Sequence, residues 1–332
     1  MITLTPSQIK SKFGELFSKN FLTIVDEKNK VVEIIEECTA KGPVEWDLIN
    51  RLRAGGVVYS GWVEGNTLYL RARIGSQEVK FGPADLEHGG QALEKVEVTE
   101  EEVHTYWIGA AGAGLGLVAC LSQAPGVLRA EYPSQNDLEK VGGANVNRVK
   151  IITPKMRKVI IGVDDTDRKD RGATWASLLK AGKELSSELG VRLLSHRIFQ
   201  CFPGVSWKTT NNVSSAVSLA IPWSMEMDSV LNKFLAILKN YCYSESACIV
   251  AYEGVEIPIK LKEFGIKVKN EVIDVNYAKK LSEELDLKVI PVTGERGVVG
   301  ALAAVGLFDS GIEYAALSGD PGLGRVRSFT II

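Results

Sequence analysis

A chain of 332 residues is too long for one ordinary domain, so two or three are expected, each burying its own core. With 39 Lys and Arg against 41 Asp and Glu the net charge is −2, and basic stretches such as KMRK read as solvated strand edges, so nucleic acid is not expected as a partner. The five cysteines are scattered, the three histidines (His88, His104, His196) stand far apart and no apolar run reaches membrane length, which argues against disulfides, a His- or Cys-held metal and a membrane role, and predicts a cytoplasmic protein.

Residues 1–153 are expected to form an N-terminal mixed α+β domain. TPSQIKSKFGELF places Thr5 as an N-cap and Pro6 at the first helical position. FLTIVD and VVEIIEE are β-rich runs on either side of the turn-like EKNK, which predicts a hairpin. GVVYSGWVEGNTLYLRARIG predicts a second, with Gly65 and Asn66 in its turn. Further on, WIGAAGAGLGLVAC fits G-x-G-x-x-A at Gly114, Gly116 and Ala119, with Glu131 at the spacing of a ribose-binding acid. The stretch that follows is too short for a crossover helix, so the glycines are read as a tight backbone approach between packed elements. The domain closes with VNRVKIIT, and Pro154 marks the boundary. No catalytic constellation stands out in this half, which leaves it a role as a surface for a protein partner.

Residues 154–332 alternate more regularly and predict an α/β nucleotide-binding, kinase-like domain. KVIIGV reads as a buried strand, and ATWASLLKAGKELSSELG as an amphipathic helix ending at Gly190. VRLLSHRIFQCF and VSSAVSLAIP are strand-like, and MDSVLNKFLAILKNYC has the spacing of a second helix. SACIVAYEG, NYAKKLSEELDL and KVIPVTG continue as strand, helix, strand. GVVGALAAVGLFDSG predicts a helix with a glycine at its start, and EYAALS a final strand.

The stretch GVDDTD puts Asp164, Asp165 and Asp167 where the first of these strands ends. In an α/β sheet ligands collect at such ends. Three carboxylates in four residues repel one another and call for a cation. Mg2+ suits hard oxygen ligands and commonly takes carboxylates together with phosphate oxygens. The plain alternative is an acidic turn screened by Arg168, Lys169 and Arg171. Downstream, Gly172 and Thr174 open a helix whose free N–H groups suit a phosphate. FPGVSWKTTNN adds Lys208, Thr209, Asn211 and Asn212, and TGERGVVGALAA adds Gly294, Gly297 and Gly300 in a second loop running into a helix. Together these are the parts needed for phosphoryl or nucleotidyl transfer. A standard phosphate loop is absent, since Trp207 and Phe202 stand where it requires glycines.

GVDDTD, PGVSWKTTNN and GERGVVGALAAVG, in that order, resemble the ATP-dependent catalytic domain of archaeal tRNA(Ile) agmatinylcytidine synthase over residues 157 to 310. The resemblance implies Asp164, Asp165 and Asp167 as metal and nucleotide ligands, with Thr166 among the nucleotide contacts. It makes Thr174 the counterpart of a threonine that takes part in phosphorylation. The synthase's WKTRGN is WKTTNN here, so one basic residue is lost, and no counterpart of its OB-fold and zinc ribbon is expected. The arrangement with an added N-terminal domain is similar to methanogenesis marker protein 11. The expected function is thus an ATP- and Mg2+-dependent enzyme acting on an unidentified small-molecule or protein substrate and linked to methanogenesis. Two alternatives stay open, a non-catalytic ATP-binding module of an assembly complex and a haloacid-dehalogenase-like phosphatase. The phosphatase reading lacks a lysine between Thr293 and Asp320.

Overall fold

The computed structural model describes residues 1–80 and 90–326, and His88 lies outside them. The chain divides into two compact units, residues Met1–Arg157 with Pro222–Ser224, and Lys158–Ile221 with the chain from Met225 on.

The first unit begins with strand β1 (Ile2–Leu4) and helix α1 (Pro6–Phe13). Thr5 caps α1, as its sequence predicts, and the structure adds a reciprocal box with Gln8. The hairpin β2 (Ser18–Asp26) and β3 (Val31–Cys38) is antiparallel, and helix α2 (Lys41–Arg53) follows it. The second hairpin, β4 (Val58–Glu64) and β5 (Thr67–Arg73), turns at Gly65 and pairs β5 with β3. Strands β6 (Gly75–Ser76), β7 (Gly90–Val98) and β8 (Glu102–Ala110) come next, before the short helix α3 (Gly112–Leu115). Strand β9 (Arg129–Tyr132), helix α4 (Gln135–Glu139) and strand β10 (Val146–Pro154) complete the unit. Here β1, β9, β10, β8, β7 and β6 form a sheet in that order. Its inner side chains meet those of β2, β3 and β5 in one core, where Phe21 and Trp107 touch edge to face at 6.5 Å.

Strands β7 and β10 pair antiparallel with β8, so the glycine-rich run after β8 sits in no parallel strand-helix-strand unit. Gly114 needs its hydrogen, because a side-chain carbon there would lie 2.3 Å from the Asn147 amide oxygen. Gly116 faces open space. The tight-approach reading therefore holds at Gly114 and not at Gly116.

The second unit is built on strand β11 (Met156–Asp164), followed by helix α5 (Thr174–Leu189) with Gly190 as its left-handed C-cap. Then come β12 (Arg192–Gln200), β13 (Val213–Pro222), helix α6 (Met227–Lys239) and β14 (Cys248–Glu253). Helices α7 (Ile259–Asn270) and α8 (Val275–Glu284), strand β15 (Lys288–Pro291) and helix α9 (Val298–Gly306) close it. The strand order is β12, β13, β11, β14, β15, and β14 runs antiparallel to β11. Side chains of β11 alternate: Val159, Ile161 and Val163 enter the core under α5 and α6, while Ile160 enters the core under α7, α8 and α9.

One expected strand is absent. EYAALS forms a 3-10 turn (Ile312–Ala315). The Lys269 ammonium takes the carbonyls of Tyr314 and Ala316 at 3.1 and 2.6 Å, and the Tyr314 ring packs on Phe199. Those carbonyls serve a partly buried cation instead of a neighbouring strand.

Helix α9 approaches β11 so closely that a side-chain carbon at Gly162 would stand 2.1 Å from the Ala301 carbonyl oxygen. Both partners are backbone and cannot swing away. Gly162→Ala is expected to destabilise the second unit by about 1–3 kcal/mol. Chemical denaturation of the variant beside the wild type measures this, and equal midpoints would contradict the packing.

Candidate functional site

Strand β11 ends at Asp164 because the chain then turns through Asp165, a non-glycine residue with φ of 59°. A residue held in that region stores strain, which surrounding contacts have to maintain. The contacts are at hand. The Arg296 Nε donates to the Asp165 carboxylate at 2.9 Å. Thr166 is fully buried, and its carbonyl receives the Tyr243 N–H at 2.8 Å. Asp167 accepts from two hydroxyls, Thr174 at 2.8 Å and Thr209 at 2.8 Å, one on each carboxylate oxygen.

Thr174 is the first residue of α5, and its N-cap, Ala173, offers no side chain to the helix. The Thr174 oxygen also accepts the Thr166 N–H at 3.2 Å. Its hydroxyl thus ties the acidic turn to the helix start and leaves the first N–H groups of α5 without a side-chain cap. The second glycine loop works by proximity. A side-chain carbon at Gly300 would come within 1.8 Å of the Asp164 carboxylate, and one at Gly297 within 2.7 Å of the Asp164 carbonyl. At Gly294 it would meet the Glu245 carbonyl at 2.2 Å. These glycines bring the start of α9, which also lacks a side-chain cap, against the end of β11. Gly172, with φ of 88°, makes room for the Tyr243 ring in the same way.

The other predicted residues are placed less centrally. The Lys208 ammonium donates to the Pro203 carbonyl of its own loop and not to the acidic turn. Asn212 donates to the Phe202 carbonyl at 2.7 Å and so fastens the loop, and Asn211 is exposed. Arg168 pairs with Asp170 and Arg171 covers the Tyr243 ring, so the cation that screens the turn is Arg296 instead. Arg296 was not singled out by sequence; the only signal was a basic residue between the glycines of GERG. Among the described residues, no three His, Cys, Asp or Glu side chains converge as a metal cluster.

A small pocket of about 40 Å³ opens at this point. Asp164, Asp165, Arg296 and Gly300 line one part of it, and Phe202, Val205, Trp207 and Val268 another. Trp207 is exposed, which is unusual for so large an apolar ring unless something covers it. Burial, and then the neighbouring Asp165 charge, push the Asp164 carboxyl well above the usual carboxylate range. Burial raises Asp165 as well, against the pull of Arg296. Two carboxyls whose ionised forms burial disfavours thus face the single Arg296 guanidinium at this strand end.

An acidic strand end between two uncapped helix starts, beside an apolar slot, is the geometry of an anion- or nucleotide-handling α/β unit. The sequence relatives agree with that class. The TiaS TCKD domain family matches residues 160–222. The chain belongs to the family of the uncharacterized protein MJ0921 of Methanocaldococcus jannaschii, to which it is 35% identical over 293 residues, 88% of this chain and 94% of that one. It is 27% identical over 154 residues to the tRNA(Ile2) 2-agmatinylcytidine synthetase TiaS of Thermococcus sibiricus. That match spans 46% of this chain and 35% of the synthetase, so the chain spans about a third of that relative's length. A crystal structure of a TiaS-tRNA(Ile2)-ATP complex is similar at 22% identity and a TM-score of 0.41, over 45% of this chain and 36% of that one.

These relatives correct one expectation. Nucleic acid was not expected as a partner, yet the synthetases that match part of this chain are named for tRNA(Ile2). A net charge summed over 332 residues averages both units and hides where the 39 basic residues gather. As to membranes, no helix among the described residues is long and apolar enough to cross one.

Because folding raises the Asp164 pKa, its ionised form opposes folding above the unfolded pKa, and the opposition is complete above the folded one. Asp164→Asn is therefore expected to stabilise the ligand-free protein at neutral pH. The gain should disappear as pH falls to values where the unfolded carboxylate is protonated too. Denaturation midpoints of both proteins across pH test the sign, and a gain that persists in acid would contradict it.

Proposed function

We propose that the second unit binds ATP with Mg2+ and activates an acceptor by phosphoryl or nucleotidyl transfer. The observation that carries this reading is the meeting, at one strand end, of the Asp164–Asp167 turn, the start of α5 with Thr174, and the Arg296 loop at the start of α9. The similarity to the tRNA(Ile2) 2-agmatinylcytidine synthetases supports it.

The donor set suits Mg2+. Asp164 and Asp165 are hard oxygen ligands at a place whose excess negative charge favours a cation. Asp167, with both oxygens occupied by threonine hydroxyls, instead positions Thr174 and Thr209. Bound there, the metal would neutralise phosphate oxygens and favour departure of the leaving group. The chain's own groups do the rest. The N–H groups at the starts of α5 and α9 receive phosphate oxygens, and Arg296 turns from Asp165 toward the charge that builds up during transfer. Thr174, already donating to Asp167, orients a phosphate oxygen or accepts the phosphoryl group. Phe202 and Trp207 offer faces for the adenine ring. Lys208 would reach the phosphates once its loop carbonyl is released.

The acceptor is left open by these groups. RNA belongs among the acceptors to be tried, because the synthetases' own substrate is tRNA(Ile2). The link to methanogenesis rests on the marker-protein resemblance and on nothing in the site.

Calorimetric titration with MgATP tests the reading, using wild type, Asp165→Asn, Trp207→Ala and the pair Thr174→Ala and Thr174→Ser. Asp165→Asn is expected to lose most of the binding. Trp207→Ala should weaken ATP about tenfold while leaving inorganic triphosphate unchanged, since only the base stacks there. Thr174→Ala should bind yet not turn over, and Thr174→Ser should restore turnover. Absence of MgATP binding to the wild type sinks the proposal. Binding without turnover with any acceptor leaves a non-catalytic ATP module in its place.

A further inference from the structure

Far from the acidic turn in sequence, the first unit encloses a cavity of about 570 Å³, within the range of small-molecule sites. Its lining residues all come from that unit. One wall is the glycine- and alanine-rich segment after β8, and side-chain carbons at Gly112 and Gly116 would meet nothing within 4 Å. Ala111, between them and the strand, is held at φ of 55°. Alanine resists that conformation, so surrounding packing holds the wall in a strained shape. Trp46 and Phe17, both exposed, also line the cavity.

The polar lining is unusual. Arg51 is buried, with its guanidinium 4.5 Å over the Trp107 ring. It pairs with the buried Glu36, donates to Gln91 at 3.1 Å and stands 3.5 Å from Asp47. The Gln91 amide in turn donates to Asp47. Among the described residues, the buried Arg51 Nε–H has no hydrogen-bond partner. So two carboxylates share one guanidinium, the exposed Glu37 adds a third negative charge, and among the described residues no other Lys, Arg or His lines the cavity. Burial, the largest influence, pushes the Asp47 carboxyl up to about 6 although Arg51 pulls it down. An excess of negative charge around a buried guanidinium is relieved by a proton or by an incoming cation.

We propose that the first unit is a receptor for a small organic cation, a protonated amine on an apolar body, whose charged end meets Asp47 and Glu36 while its body fills the space beside Gly112, Gly116 and Trp46. A neutral ligand of the same shape gains nothing from the excess charge, and an anion is repelled by it. The site lies outside the stretch that resembles the synthetases and does not depend on the nucleotide reading.

The full-length protein is titrated calorimetrically with three probes of one shape: 1-naphthylmethylamine, 1-naphthalenemethanol and 1-naphthoate. Only the amine is expected to saturate. Asp47→Asn should weaken it about tenfold or more, because it removes the charge and keeps the shape. Gly116→Leu, which fills the open wall of the cavity and keeps every charge, should abolish binding, with thermal melts confirming that both variants fold. Amine affinity should rise from about pH 5 to about pH 7.5 as Asp47 loses its proton, and stay flat in Asp47→Asn. The groups that face Asp47 are Glu36 from β3, Arg51 on its own helix and Gln91 from β7, with the Cys120 thiol nearby, which burial pushes up. Equal binding of all three probes, no binding of any, or amine binding that survives both variants would overturn the proposal. Asp165→Asn should leave amine binding intact, which separates failure here from failure of the nucleotide site.

Discussion

Unneutralised carboxylate at the end of β11 is the constraint from which the rest of the second unit follows. Asp164 and Asp165 are drawn into the protein and raised together, and one guanidinium, Arg296, stands against them. Held like this, the turn opposes folding, so other contacts have to fasten it. Thr174 and Thr209 clamp Asp167, Thr166 is buried beneath, and Tyr243 closes over Gly172. Each fastening comes from a different element. The turn is thereby positioned by α5, by the loop before β13 and by the segment after α6 at once, as a binding site needs and a solvated acidic loop does not.

The same constraint explains the glycines. In sequence Gly294, Gly297 and Gly300 read as a phosphate cradle, but their immediate reason is steric. At Gly297 and Gly300 a side chain would strike the Asp164 carbonyl or carboxylate at the strand end, and at Gly294 the backbone of Glu245. Removing side chains lets the start of α9 approach Asp164 directly, and that approach is what aims its free N–H groups at the turn. A glycine pattern therefore records closeness first, and closeness to what is visible only in the fold. The first unit makes the same point in reverse. Its G-x-G-x-x-A match holds one glycine pressed against Asn147 and another bordering a void.

Most elements were legible because their signals are local. The N-cap at Thr5, the hairpin turn at Gly65 and the left-handed cap at Gly190 each need only a few neighbouring residues. Helices α2 and α7 were not. In α2, Trp46, Ile49 and Leu52 are exposed and blur the apolar face, and Gly42 and Pro43 read as a loop. In α7 the interruption is Gly265, present because Leu307 of a distant segment packs against it at a hypothetical 2.6 Å. The final strand failed for a related reason, since a lysine from α7 claims its carbonyls. In the site, the aspartates and threonines were legible as a dense run of like chemistry. Arg296, the cation that answers them, stands 131 residues from Asp165, and no local pattern ties the two.

Stability alone does not account for either polar cluster. A buried pair can often be replaced by well-packed apolar residues at no loss, and an unequal group of charges is worse than a pair. Yet at Asp164–Asp167 two raised carboxylates share Arg296, and at Glu36–Asp47 two carboxylates share Arg51. In both places the imbalance has the same sign, and in both it borders a pocket instead of being sealed within the core. A fold that keeps such an imbalance gives up stability when empty and recovers it when a positively charged group arrives, because binding to the folded state alone stabilises that state by mass action. For the second unit the group with the right charge and the right neighbours is a metal ion carried with phosphate. For the first, an apolar-walled cavity around a buried carboxylate selects a cation with a hydrophobic body. The difference between the two ligands thus comes less from the carboxylates, which are alike, than from what surrounds them: uncapped helix starts in one unit, small and aromatic side chains in the other.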